Sequence, residues 1–193
     1  MLQEGLRPLT EIKINIDKGK IKNLIDGLAD KKAIKVGLIA GKGGDDIISE
    51  DMDLAGIGAV QEFGATIQVT DKMRAWLHYN GLHLKASTTT INIPVRSFLQ
   101  MPLEDKKRLF KNITKNIDFD DLIDYVEKTG DLESLAVMIG AGAVETINEA
   151  FDSSGFGQWE PDSSFTTSRK GSSLPLQNTG KLRQSISYEV ENG

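Results

Sequence analysis

Two histidines, a glycine-rich turn and two clusters of charge are the residues whose types and spacing could do chemistry in this chain. His78 and His83 lie five positions apart around Asn80-Gly81. A catalytic metal asks for three protein ligands and an open position, and no third His or Cys stands near them. Exposed histidines on the two strands of a β-hairpin are the simpler reading. With no other histidine and no cysteine in the chain, the usual general bases and activated nucleophiles are nearly exhausted. Gly37-Leu38-Ile39-Ala40-Gly41-Lys42-Gly43 follows a strand-like run and invites comparison with a phosphate-binding loop. It places three residues between glycines where that loop has four, and Gly43 where a Ser or Thr must reach magnesium. A surface turn fits it better. Asp118, Asp120 and Asp121 lack the alternating ligands, central glycine and closing glutamate of a calcium loop, and helix capping accounts for them. Lys106, Lys107 and Arg108 could meet DNA phosphates, but on the polar face of a helix in an acidic chain they read as solvated charge. The expectation is a protein without catalytic residues, metal ligands or cofactors.

The scaffold for these residues is of ordinary globular composition: 193 residues, 39% hydrophobic and 26% charged. One domain over 1–193 is expected, and a chain of this length buries roughly 70% of its unfolded surface without disulfides or a structural metal. Zero cysteines remove disulfide scaffolds, thiolate zinc sites and iron–sulfur clusters. No window approaches 18 uninterrupted apolar residues, and Met1 to Gly5 has no basic segment with an apolar run behind it, so neither membrane spanning nor secretion by signal peptide is expected. The net charge of -5 is unevenly spread: residues 71–111 hold eight Lys/Arg against three acids, and residues 112–152 two lysines against ten acids. Blocks of +5 and -8 could pair head to tail between subunits, or be solvated helix faces that happen to differ.

An α+β fold is expected, with a mostly antiparallel sheet packed against a long amphipathic helix and shorter helices, plus long loops and a hairpin. Glu11 to Ile16 alternates as a strand, Asp17 caps a helix carrying Ile21, Leu24, Ile25 and Leu28, and Ile34, Val36 and Leu38 alternate again. Leu54 to Phe63 reads as a short helix stopped by Gly64, Thr66 to Thr70 as a strand, and Leu77 to Ala86 as a hairpin turning at Asn80-Gly81. Thr88 to Ile93 is β-prone and ends at Pro94. Pro102 opens a helical block through Ile113, and a short helix with Leu122, Ile123 and Val126 inward closes at Gly130. Leu132 to Ala150 is the longest periodic segment, and Ala and Gly at 140–143 would let another element approach closely. Residues 152–173 hold seven serines and almost no aliphatic side chain. They read as an extended loop that orders against partners, anchored by Trp159. Ile186, Tyr188 and Val190 alternate as a strand returning to the sheet.

Three stretches in order resemble the tail-completion and neck proteins of long-tailed bacteriophages, the Mu-like virion morphogenesis and lambdoid tail-completion group. The first is Ala59-Val60-Gln61-Glu62-Phe63-Gly64, similar to that family's Glu-Phe-Gly after a short helix. The second, Ile93-Pro94-Val95-Arg96-Ser97-Phe98-Leu99, resembles Ile-Pro-x-Arg-x-Phe-Leu, with Ser97 where the family more often has Pro. The third comprises Trp159-Glu160-Pro161, then Thr167 and Lys170, then Pro175-Leu176-Gln177-Asn178-Thr179-Gly180-Lys181-Leu182-Arg183-Gln184-Ser185-Ile186. The resemblance covers about residues 33–190 and departs from the family at 72–90 and at the N-terminal strand and helix.

The resemblance implies a non-enzymatic structural virion protein at the head–tail junction, assembled in the bacterial host cytoplasm as a ring of six copies around the DNA channel. Its implied partners are further copies of itself, head connector or stopper proteins, and a tail-terminator or tail-tube protein. DNA would pass through the lumen without specific contact, with the acidic helices from Asp118 onward as candidate lining. A tail terminator or another tube-associated protein is the alternative position, and a small phage-encoded hydrolase the alternative class. The candidate family-motif or interface residues are Glu62, Phe63, Gly64, Pro94, Arg96, Phe98, Leu99, Lys106, Lys107, Arg108, Trp159, Pro161, Leu176, Thr179, Gly180, Leu182 and Ser185. Two physical readings of the motifs stay open. Arg96 could aim its guanidinium at a neighbouring carboxylate while Phe98 and Leu99 anchor that segment, and Thr179-Gly180 could form a turn that needs glycine's backbone freedom, or both segments merely terminate strands.

Overall fold

The structure is a computed structural model that describes residues 27, 31–44, 46–49, 52–115 and 119–192. The strand expected at 11–16 and most of the helix expected after Asp17 lie outside the described residues. Strand β1 (Lys32–Leu38) carries the expected alternation and pairs antiparallel with β6 (Ile186–Asn192), from Lys32 opposite Asn192 to Leu38 opposite Ile186. Two further ladders are antiparallel, β2 (Ile47–Ser49) with β3 (Met52–Asp53) and β4 (Ala65–Gln68) with β5 (Thr90–Ile93). The fold is α+β, and its strands among the described residues form three two-stranded ladders.

The helices follow their caps. Asp53 accepts the Gly56 amide to open α1 (Leu54–Phe63), and Gly64 closes it at φ 71. There a Cβ would stand 3.0 Å from the Ile93 carbonyl oxygen, so only glycine lets β5 pass this close. Asp105 ends α3 (Gln100–Glu104) and begins α4 (Lys106–Ile113), accepting the Arg108 amide at 3.1 Å. Pro102 therefore sits within a short first helix instead of opening the block. Helix α5 (Phe119–Thr129) buries Leu122, Ile123 and Val126. Asp131 then caps α6 (Leu132–Asp152), the long helix anticipated from periodicity, which crosses both β1 and β6. Its small residues admit two neighbours: a Cβ on Gly140 would lie 2.3 Å from the Tyr188 ring of β6, and one on Gly142 2.8 Å from the Ile113 backbone of α4.

The hairpin expected at 77–86 is instead a helix, α2 (Asp71–Tyr79), followed by a loop. Thr70 accepts the Met73 amide and Asp71 occupies the first turn, a helix start that outweighs the Asn-Gly signal. Gly81 does take a positive φ of 90, but Asn80 sits at -87, so the pair of positive angles a type I′ turn needs is not formed. Arg74 holds the loop that follows by donating to the carbonyls of Lys85 at 3.0 Å and Thr88 at 2.6 Å.

The segment 152–173 is also corrected. Past α6 it makes tight turns and then α7 (Ser164–Lys170), capped by Ser163. Trp159 is only 6% exposed and lies in the core with Leu54, Phe98, Ile147, Ala150, Phe151, Leu182 and Ile186. Phe151 meets Phe98 and Trp159 edge to face, both at 5.6 Å between centroids. Gly155 makes room, since a Cβ there would fall 2.3 Å from the Trp159 indole. The chain's own core supplies the anchor that the sequence reading assigned to a partner.

Candidate functional site

Glu62, at the end of α1, is 6% exposed and fully engaged. Its Oε2 accepts the amides of Phe98 at 2.7 Å and Leu99 at 2.9 Å; its Oε1 accepts the Gln100 amide at 3.0 Å and the Ser97 hydroxyl at 2.6 Å. These amides are the unpaired donors at the start of α3, whose own N-cap side chain, Leu99, offers no acceptor. A carboxylate there satisfies several donors at once and meets the positive end of the helix. The Glu-Phe-Gly and Arg-Ser-Phe-Leu stretches are thus two halves of one lock. The Arg96 amide adds to it by donating to the Gln61 carbonyl at 2.8 Å.

Arg96 continues the lock into the third stretch. Its guanidinium donates from Nε to the Glu160 carbonyl at 2.9 Å and from Nη2 to the Pro161 carbonyl at 3.3 Å, and pairs with Asp162 at 3.0 Å. Lys170, from the end of α7, pairs with the other oxygen of Asp162 at 2.6 Å. All three side chains are 7% or 8% exposed. The expectation that Arg96 aims at a carboxylate is met within the chain, by Asp162. The Trp159 indole N–H closes the circuit on the Ser97 carbonyl at 3.1 Å.

Beside this circuit lies a concavity of about 290 Å³, lined by Leu54, Ile57 and Gln61 of α1, by Arg96, Asp162 and Lys170, and by the 176–182 segment. Leu176, Thr179, Gly180 and Leu182 of the third stretch all line it. Gly180 takes a left-handed φ of 79 where the chain enters the one-turn helix α8 (Lys181–Gln184). Leu176, which also lines the concavity, holds a φ of 59, uncommon for a side chain of its kind. No known family, curated protein or solved structure matches this chain.

The other candidate residues divide by exposure. Phe98, Trp159 and Leu182 are core, Leu99 and Leu176 pack against that core, and Pro94 and Ser185 are half-buried. Phe63, at 71% exposed, is the motif side chain turned to solvent, beside exposed Val95. Pro161, Thr179, Lys106 and Lys107 are also exposed. Arg108 differs from the two lysines: it pairs with Asp105 at 3.0 Å and lies 3.9 Å over the Phe156 ring. It is not a free basic side chain. Sequence reasoning missed Asp162 altogether and took Lys170 only as part of a motif series, because nothing in their spacing announces a shared buried charge.

The two histidines do meet, at 2.7 Å between Nδ1 atoms, across the end of α2 instead of across a hairpin. Among the described residues no group of three or more His, Cys, Asp or Glu could hold a metal ion. No described helix is long and apolar enough to cross a membrane.

Proposed function

We propose that this chain is a non-enzymatic structural protein of a long-tailed bacteriophage, acting as a homo-oligomeric ring at the head–tail junction that completes the tail and meets the head connector around the DNA channel. One observation carries the reading. The three stretches that resemble the tail-completion and neck group lie far apart in sequence, yet converge on a single circuit of contacts: Glu62 on residues 97–100, Arg96 on residues 160–162, and Trp159 on Ser97. Chance matches scattered over a chain have no reason to interlock. The resemblance therefore follows a structural unit, the sheet-edge, helix-start and loop junction on which the fold is organised. Phe63 and Val95, exposed on the same junction, are the apolar side chains it presents to a neighbour.

Electron microscopy of particles made without the protein tests the proposal. Full DNA-filled heads and separate tails that join when the purified protein is added would support it. Normal joined particles in its absence would overturn it. Tails of uncontrolled length would place the protein at the terminator position instead.

A further inference from the structure

We infer that the concavity walled by Arg96, Lys170, Gln61 and the aliphatic groups of Leu54, Ile57, Leu176 and Leu182 is a socket for an acidic side chain presented on an extended peptide of a partner protein. Charge is the first reason. Two buried cations, Arg96 and Lys170, share one carboxylate, Asp162, so the wall carries a formal excess of one positive charge behind largely apolar surroundings. A cation held out of water is stabilised by an anion at short range, and a second carboxylate is the match this arrangement offers. Lys181, exposed at the rim, adds to the same sign.

Donor geometry is the second reason. Arg96 commits Nε to the Glu160 carbonyl and Nη2 to the Pro161 carbonyl and Asp162. A guanidinium edge fixed by three acceptors is already oriented, so an incoming carboxylate meets it with little ordering left to do. The third reason separates a peptide from a free acid. Gln61 Oε1 is buried and accepts no hydrogen bond from the described residues. An acidic residue on a peptide brings both groups required: a carboxylate for Arg96 and Lys170, and an amide N–H for Gln61. The aliphatic floor then favours a branched apolar residue beside the acid. This inference does not depend on the head–tail reading.

The test uses the full chain with isotope-labelled methyl groups, titrated with N-acetyl-Leu-Asp-Leu-amide, its Asn counterpart and 4-methylpentanoate. The Asp peptide is expected to shift the methyl signals of Leu54, Ile57, Leu176 and Leu182 saturably, the Asn peptide to bind at least tenfold more weakly, and the free acid to fall between. Arg96→Lys should lose most of the preference for Asp. Because Arg96 also holds the fold, Asn178→Trp supplies an independent variant: Asn178 is exposed on the rim, so the indole blocks entry with folding intact. Equal affinity of the Asp and Asn peptides, shifts elsewhere on the molecule, or undiminished binding by Asn178→Trp would overturn the socket. Binding of 4-methylpentanoate as tight as that of the Asp peptide would overturn the peptide as its occupant.

Discussion

Glu62 shows how a single side chain can tie distant segments together, since its two oxygens take up three backbone amides and one hydroxyl from residues 97–100. Replacing it by Gln keeps one acceptor oxygen and turns the other position into a donor facing amide donors. Glu62→Gln should therefore destabilise the chain by about 1–3 kcal/mol, read as a lower midpoint in chemical denaturation with little change in slope. An unchanged midpoint would mean that water replaces the carboxylate at no cost. Trp159 allows a finer division of the same junction. Trp159→Phe removes the donor to Ser97 and some packing but keeps an aromatic ring against Phe151, whereas Trp159→Ala empties a buried site, at about 3–5 kcal/mol. If the Ala variant folds as stably as the Phe variant, the indole is not the internal anchor described above.

Periodicity at the level of elements was legible wherever a segment owes its shape to its own residues. Helices α1, α5 and α6, strands β1 and β6, and the pairing-prone runs of β4 and β5 were all visible in spacing and caps. The α2 segment was misread because Asn80-Gly81 is a turn signal compatible with either a hairpin or a helix end. Thr70 and Asp71 decide between them. The 152–173 segment was misread for another reason: its order comes from residues outside it, Phe151 at its edge and the distant Arg96 and Ser97, which local composition does not report. The buried group of Arg96, Asp162 and Lys170 was illegible on the same grounds. Small residues in α6 were legible, and they make a prediction. Gly142→Ala gains roughly 1 kcal/mol in helix propensity but drives a methyl into the Ile113 backbone, which cannot swing aside. Net destabilisation is expected, and a rise in melting temperature would refute the close approach of α4. At the start of α6, hydrogen bonds from the Ser134 hydroxyl and amide hold the Asp131 carboxyl below its ordinary value of 3.8. The folded state thus prefers the ionised form. The stability Asp131 adds is fully present above pH 3.8 and is lost as pH falls through its lower folded value. Asp131→Ala should lower the melting temperature at pH 7, and the gap to the parent should narrow below pH 3.8; a gap independent of pH would remove the carboxylate from the cap.

At the scale of the whole molecule, the basic block at 71–111 and the acidic block at 112–152 are partly spent inside one chain. Arg96 is buried on Asp162, Arg108 is held by Asp105 and Phe156, and Lys115 pairs with Glu145 at 3.1 Å. Lys106 and Lys107 remain exposed on α4, and α5 exposes Asp121 and Asp124. If α4 of one subunit meets α5 of the next, the contact is heterologous and closes into a ring when its rotation permits. Exposed pairs contribute about 0.2–1 kcal/mol each, so charge should steer and register the subunits while apolar groups such as Phe63 and Val95 hold them. Reversing Lys106 and Lys107 to Glu, with Arg108 left in place, should spare the fold, because neither lysine touches the core. If the proposed ring forms through this contact, its assembly followed by light scattering should slow several-fold in the double variant and also in the parent at high salt, with a smaller change in the final yield. The slowing by salt should largely vanish in the double variant. Assembly of K106E/K107E at the parental rate, with the parental salt response, would remove this face of α4 from the proposed contact.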